Sequence, residues 1–249
     1  MKKLLLVLIT VLSVILVSTT FYSCEKEEEN NNDLPSYPMS FNDDYLEYET
    51  IPHTKNCKAT RVNKFNNGSI IIPSYAEYEG EQYKVIEIGD NFVLSSYKDS
   101  LTGNLIIANT ITKIGKYAFF SCQKLKGSII IPGSVKEIGN YAFYLCTNAK
   151  KIELNYGLEK IGDKAFYLSC TNYQNAFILT IPSSVLEIGN EAFNGVEINN
   201  VVSSNPIPPK ITSNIFGNGF GYIYVPSNAV EVYKNDAGWR RYYSIIYSI

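Results

Sequence analysis

Apolar side chains fall along this chain in two unlike patterns. One is a nearly unbroken run from Leu4 to Val17; the other is a set of short clusters that return at a regular interval from Ile70 onward. The clusters are of two kinds. A strand-like kind reads IIIP from Ile70 to Pro73, LIIA from Leu105, IIIP from Ile129, IELN from Ile152 and LTIP from Leu179. Alternation along a strand sends the outer two apolar residues of each to one face and the middle one to the other. The second kind reads IGKYAF (Ile114 to Phe119), IGNYAF (Ile138 to Phe143), IGDKAF (Ile161 to Phe166) and IGNEAF (Ile188 to Phe193). Steps of 24, 23 and 27 residues separate these four, and the degenerate copies IGDNF (Ile88 to Phe92) and ITSNIF (Ile211 to Phe216) bring the number to six.

Three positions ahead of the second cluster another apolar residue recurs, as Val85, Ile111, Val135, Leu158 and Val185. Each unit therefore turns only about five apolar side chains inward, too few to bury alone, so units of this kind must stack. Gly89, Gly115, Gly139, Gly162 and Gly189 hold one position in five copies. The backbone there either takes positive φ or passes close to its neighbour. Two positions later Tyr117, Tyr141, Lys164 and Glu191 share no chemistry, which predicts a solvent-facing site.

The order of strand, IP, V, IG, AF and C is similar to the BspA-like class of leucine-rich repeats over Ser69 to Ile249. The stretch YIYVPSNAVEVYKNDAGWRRYYSII resembles the segment that closes such arrays. The resemblance implies a repeat solenoid, mostly β with short helical turns, its parallel strands forming a curved sheet. Repeats are expected over residues 86–221 and a C-terminal cap over 222–249. In that cap Ile223 and Val225 supply a last strand, Asn228 to Tyr233 a short helix and Trp239 a lid. Residues 45–85 alternate like strands, with turns at Asn67 and Gly68 and near Gly80, and predict an N-terminal β-hairpin cap.

The apolar run at the start has signal-peptide length, follows Lys2 and Lys3, and gives way to Ser18, Thr19 and Thr20. It ends in FYSC, which resembles the lipobox of bacterial lipoproteins; the resemblance implies removal of residues 1–23 and lipidation of Cys24, with an uncleaved signal anchor as the alternative. Residues 24–44 open with EKEEENNND, too polar and too charged to order by themselves, and are expected to form an acidic tether. Lys26, Glu27 and Glu28 resemble an export signal that carries lipoproteins to the outer face of some Gram-negative outer membranes. The implied location is the outer membrane, lipid-anchored and exposed at the cell surface.

Charge narrows the partners. The formal net charge is -2, and losing Lys2 and Lys3 with the leader leaves 20 basic against 24 acidic side chains. That balance gives no footprint for nucleic acid. His53 is the single histidine, so no histidine triad or His-rich metal site can be assembled. Acidic pairs such as Glu153 and Asp163 exist, but no motif selects one for glycosidase chemistry, and the glycines follow the repeat rather than a phosphate loop. No enzyme, metal or cofactor is therefore expected. Cys122, Cys146 and Cys170 recur at steps of 24. A ladder of buried free thiols fits three equivalent positions better than disulfides, which stacked coils would still allow on distance. Cys57 has no obvious partner.

The expected activity is recognition or adhesion, since related repeat proteins are associated with attachment and a solenoid offers an extended surface. The expected partner is an extracellular protein, matrix component or glycan. The alternative is a glycan-binding accessory lipoprotein of a polysaccharide-uptake system, for which exposed tyrosines would suit sugar stacking. The candidate binding face is the ladder of middle strand residues, Ile71, Ile106, Ile130, Glu153, Thr180 and Tyr224. Exposed isoleucines suggest a contact site. Two other readings stay open: β-propensity alone could place isoleucine there, or residues 34–66 could fold over the stripe.

Overall fold

In a computed structural model of the chain, the described residues are 34–171, 176–211, 213–217 and 220–249. The leader, Cys24 and the Lys26, Glu27 and Glu28 motif lie outside them. The first strands build the cap: β1 (Ser40–Asn42), β2 (Leu46–Thr50) and β3 (Asn56–Val62) pair as an antiparallel meander. Next come β4 (Ile70–Ile72), β5 (Tyr75–Tyr78) and β6 (Glu81–Ile88), of which β5 and β6 form a hairpin through Glu79 and Gly80, both at positive φ. Strand β3 then pairs parallel to β6, so the cap runs straight into the repeats.

Each later repeat contributes two strands on different sides of a coil. One side carries β7 (Leu105–Ile107), β9 (Ile129–Ile131), β11 (Ile152–Leu154), β13 (Phe177–Ile181), β15 (Ile198–Ser203) and β17 (Ile223–Val225). The other carries two-residue strands ending on the recurring Ile: β8 (Lys113–Ile114), β10 (Glu137–Ile138), β12 (Lys160–Ile161), β14 (Glu187–Ile188) and β16 (Lys210–Ile211). These short strands extend the cap sheet in the order β1-β2-β3-β6-β8-β10-β12-β14-β16, parallel from β3 onward. The result is a leucine-rich repeat fold with a mostly parallel, curved sheet and few helices.

The core follows from the repeat. The recurring Ile, the Val, Ile or Leu three positions ahead of it, the Ala-Phe pair and the outer strand residues are buried in coil after coil. Phe92, Phe119, Phe143, Phe166, Phe193 and Phe216 form one continuous column, with ring centroids 5.0 to 5.9 Å apart. Proline after β4, β9, β13 and β17 stops those strands, and turns follow in which Val135 and Val185 donate to the Pro132 and Pro182 carbonyls.

The glycines serve close approach, not positive φ. A Cβ on Gly139 would sit 2.6 Å from the Lys116 nitrogen, and one on Gly162 2.6 Å from the Asn140 nitrogen, both backbone atoms of the preceding coil. Positive φ falls instead on Asn91, Tyr117, Tyr141, Lys164 and Glu191, at 51 to 57° and 59° for Tyr141. Those side chains are chemically varied because the site is set by backbone geometry. Each N–H from Asn91 to Glu191 in this series donates to a carbonyl of the following coil, as Tyr117 does to Asn140 at 3.0 Å. Tyr117, Tyr141 and Lys164 are half-buried, which corrects the expectation of a plain solvent-facing position.

Two boundaries and the last strand also differ from expectation. Strand β1 lies inside the stretch 24–44 expected to be tether, because Phe41 is buried against Tyr48 and Tyr78 at centroid distances of 5.2 and 5.0 Å. Strand β6 crosses the boundary drawn between 85 and 86. At the other end β17 is not the last strand: α1 (Val230–Asn235) and a 3-10 turn at Trp239–Ile245 lead into β18 (Ile246–Ser248), which pairs parallel to β17. Trp239 is fully buried at the end of the phenylalanine column and donates its Nε1–H to the Pro209 carbonyl at 2.7 Å.

Candidate functional site

The strands β4, β7, β9, β11, β13, β15, β17 and β18 lie side by side as three short ribbons, and each turns a middle residue outward. Burial alternates in the first three as buried, exposed, buried, because the outer isoleucines and leucine fill the coil and leave the central side chain no inward space. The register is direct: Ile71 faces Ile106, Ile130 faces Glu153, and Thr180, Val202, Tyr224 and Tyr247 follow in line. Ile71, Ile106 and Ile130 are 45, 52 and 47% exposed, so no part of residues 34–66 covers them. Glu153 is half-buried and ion-paired with Lys151 at 3.0 Å.

Beyond Glu153 the face changes character. Ile178, Thr180, Asn200, Val202, Tyr222, Tyr224 and Tyr247 face outward there or flank it, and none is charged. Tyr222 and Tyr247, each 48% exposed, meet edge to face at 5.2 Å and 87°. Tyr222 donates its backbone N–H to Asn200 Oδ1 at 2.8 Å. Sequence reading missed Val202 and Tyr247 because β15 has Ser203 where the other strands turn a second apolar residue inward, and β18 follows the cap helix; the pairing partners of Tyr224 could have found both.

The other sides of the coil carry a charged row and an aromatic row. Just ahead of each recurring Ile stand Glu87, Lys113, Glu137, Lys160, Glu187 and Lys210, in register across the parallel sheet. Lys58 and Glu49 prolong this alternation into the cap, where Lys58 Nζ lies 2.8 Å from Glu49 Oε2. On the turn side Phe120, Tyr144 and Tyr167 stack face to face at 5.0 and 5.1 Å, and Tyr117 stacks on Tyr141 at 4.9 Å. The amines of Lys98 and Lys164 sit over the two ends of the longer stack, above Phe120 and Tyr167. A depression of roughly 400 Å³ at that end is lined by Val93, Leu94, Ser95, Lys98, Tyr117 and Phe120 among others.

Inside, Cys57, Cys122, Cys146 and Cys170 are buried and free. Burial pushes the thiols of Cys57, Cys122 and Cys170 up to about 12, so none is poised as a nucleophile. Among the described residues no group of three or more His, Cys, Asp or Glu could hold a metal ion, and no helix is long and apolar enough to cross a membrane. His53 sits in a turn at positive φ, its backbone N–H bonded to the Pro35 carbonyl.

No curated protein matches this chain. Among solved structures it is similar to a leucine-rich cell-surface protein from Faecalibacterium prausnitzii, at 24% identity and a TM-score of 0.53 over 76% of this chain. It spans 55% of that protein's length. A leucine-rich repeat protein from T. pallidum matches at 21% identity and a TM-score of 0.53, over 75% of this chain and 86% of the other. These likenesses establish the fold. Residues 87–221, more than half of the chain, match the family described as the BspA type leucine rich repeat region, in six copies. The stacked coils, the glycine contacts and the phenylalanine column described above are those six copies in three dimensions, and the chain belongs to the BspA-type leucine-rich repeat family.

Proposed function

We propose that the protein is a cell-surface recognition module, held to the outer membrane by a lipid on Cys24 and carried outward by Lys26, Glu27 and Glu28. It binds an extracellular protein or matrix component through the outward face of its strands and performs no catalysis. The observation that carries this reading is the row of Ile71, Ile106 and Ile130, the middle residues of the neighbouring strands β4, β7 and β9, each about half exposed. A contiguous apolar stripe gains free energy only when something covers it. The leader pattern supports delivery of that stripe to the outside.

The test is capture from extracellular matrix and mucin with residues 34–249, a unit that is compact by itself. Ile106→Asp with Ile130→Asp should leave the circular dichroism spectrum and Tm nearly unchanged and abolish capture. Unaltered capture moves the site to the loop at Ser95–Ser100 or to residues 171–175, and a large loss of Tm means that the side chains are needed inside.

A further inference from the structure

Two of the aromatic clusters among the described residues reach the surface, and they differ in what their rings have left to offer. In the turn-side stack of Phe120, Tyr144 and Tyr167 the interplanar angles are 7 and 6°, and lysine amines lie over both end rings. The large faces of those rings are spent on one another and on the two amines. Only edges and hydroxyls reach solvent. Tyr222, Tyr224 and Tyr247 are arranged the other way. Tyr222 stands at 87° to Tyr247 and at 67° to Tyr224, an arrangement that leaves nearly half of Tyr222 and Tyr247 open. Perpendicular rings form a corner, with one face as a floor and another as a wall.

The surroundings of that corner are polar without charge. Asn200 accepts the Tyr222 N–H through Oδ1, which fixes its amide and leaves the NH2 to donate. Thr180 adds a hydroxyl on a neighbouring strand, in register with Val202. Among the described residues, none of the outward side chains of β13, β15, β17 and β18 is Lys, Arg, Asp or Glu. Open aromatic faces carry a negative quadrupole that attracts polarised C–H groups, and the amide and hydroxyls suit neutral hydroxyl partners. A neutral pyranose with axial C–H bonds on its faces offers both kinds of group at once. An anion would find no cation here, and a wholly apolar segment would strand the Asn200 amide.

We propose that the corner formed by Tyr222, Tyr224, Tyr247 and Asn200 is a binding subsite for neutral saccharides of β-linked gluco configuration. The assignment rests on the reading of this face as the recognition surface and gives its C-terminal half a ligand class different from that of the isoleucine half. Tyr222 and Tyr247 supply the stacking surfaces, and Asn200 fixes the orientation of the ring by donating to a hydroxyl.

The test titrates the full chain in detergent with cellotetraose and chitotetraose, and with tetragalacturonate as the acidic control. The two neutral sugars should bind and the acidic one should not. Tyr222→Ala and Tyr247→Ala should each weaken binding about tenfold or more, the loss typical of an aromatic anchor, with Tm held as the check on folding. Tyr222→Phe should stay within roughly threefold, since the ring face and not the hydroxyl does the stacking. Binding of tetragalacturonate as tight as that of cellotetraose, or tyrosine variants that bind like the parent, would overturn the assignment. If neither neutral sugar binds while mucin stripped of its glycans is still captured through Ile106 and Ile130, the saccharide assignment falls alone. If the sugars bind and the isoleucine variants change no capture, the protein-recognition reading falls alone.

Discussion

The two strand-bearing sides of the coil make the instructive contrast. On one, the outward residues alternate from Glu49 through Lys58, Glu87, Lys113, Glu137, Lys160 and Glu187 to Lys210, so every interior charge stands between two of opposite sign. On the other, the outward residues run from three isoleucines through Glu153 to a cluster of tyrosines, with no alternation. Both sides obey the same geometry, with strands about 4.8 Å apart and one outward residue per coil. What differs is whether the residue in register on the next coil carries the opposite charge. A side whose charges alternate favours one stacking of the coils over its neighbours; a side without alternation does not.

That contrast is most sharply broken from the inside. Phe143 stacks between Phe119 and Phe166 at 5.0 and 5.3 Å and is fully buried, so Phe143→Ala should cost about 3 to 5 kcal/mol in denaturant melts. Ile130→Ala on the open face should cost less than about 0.5 kcal/mol. Comparable losses would mean that both residues serve the stack.

Alkali probes the same interior by another route. The folded protein holds the thiols of Cys57, Cys122 and Cys170 near 12, raised by burial from an ordinary value near 9. Above that ordinary value the unfolded chain binds fewer protons than the folded one, so stability is full below about pH 9 and falls as pH rises toward about 12. One unit into that window the loss should be roughly 1 kcal/mol per thiol. Urea melts from pH 8 to 11 measure it, and replacing Cys122 and Cys170 with Ala should flatten the slope.

The smallest effect belongs to the charged side. Lys160→Glu would set Glu137, residue 160 and Glu187 as three like charges in register and should cost about 0.5 to 1 kcal/mol at low salt, less at high salt. A salt-independent loss would show that the alternation is not electrostatic.

The sequence made the coil legible because its apolar positions recur within one chain: the recurring Ile, the Ala-Phe pair and the IIIP strands all declare their side by period. What it hid lies between coils. Glu87, Lys113 and Glu137 are plain in the sequence, yet their alternation has a period of two coils and means nothing until the strands are in register. The left-handed backbone at Tyr117 and Lys164 carries no residue signature, because hydrogen bonds to the next coil hold it and no glycine is required. Strand β15 lacks the apolar pair because Ser203 takes its second inward position, and Val202 is hidden with it. On the candidate face, Ile71 and Tyr224 could be placed by alternation alone, whereas Tyr247 joins them only through pairing across α1.

The charged ladder also constrains how such a protein can change length. Deleting the coil that carries Glu137 would bring Lys113 beside Lys160, and duplicating it would set two glutamates side by side. Deleting or duplicating two adjacent coils together preserves every opposite-sign neighbour. The array thus has a parity: descendants that gain or lose repeats in pairs inherit a matched seam, whereas those that shift by one must also reverse a charge.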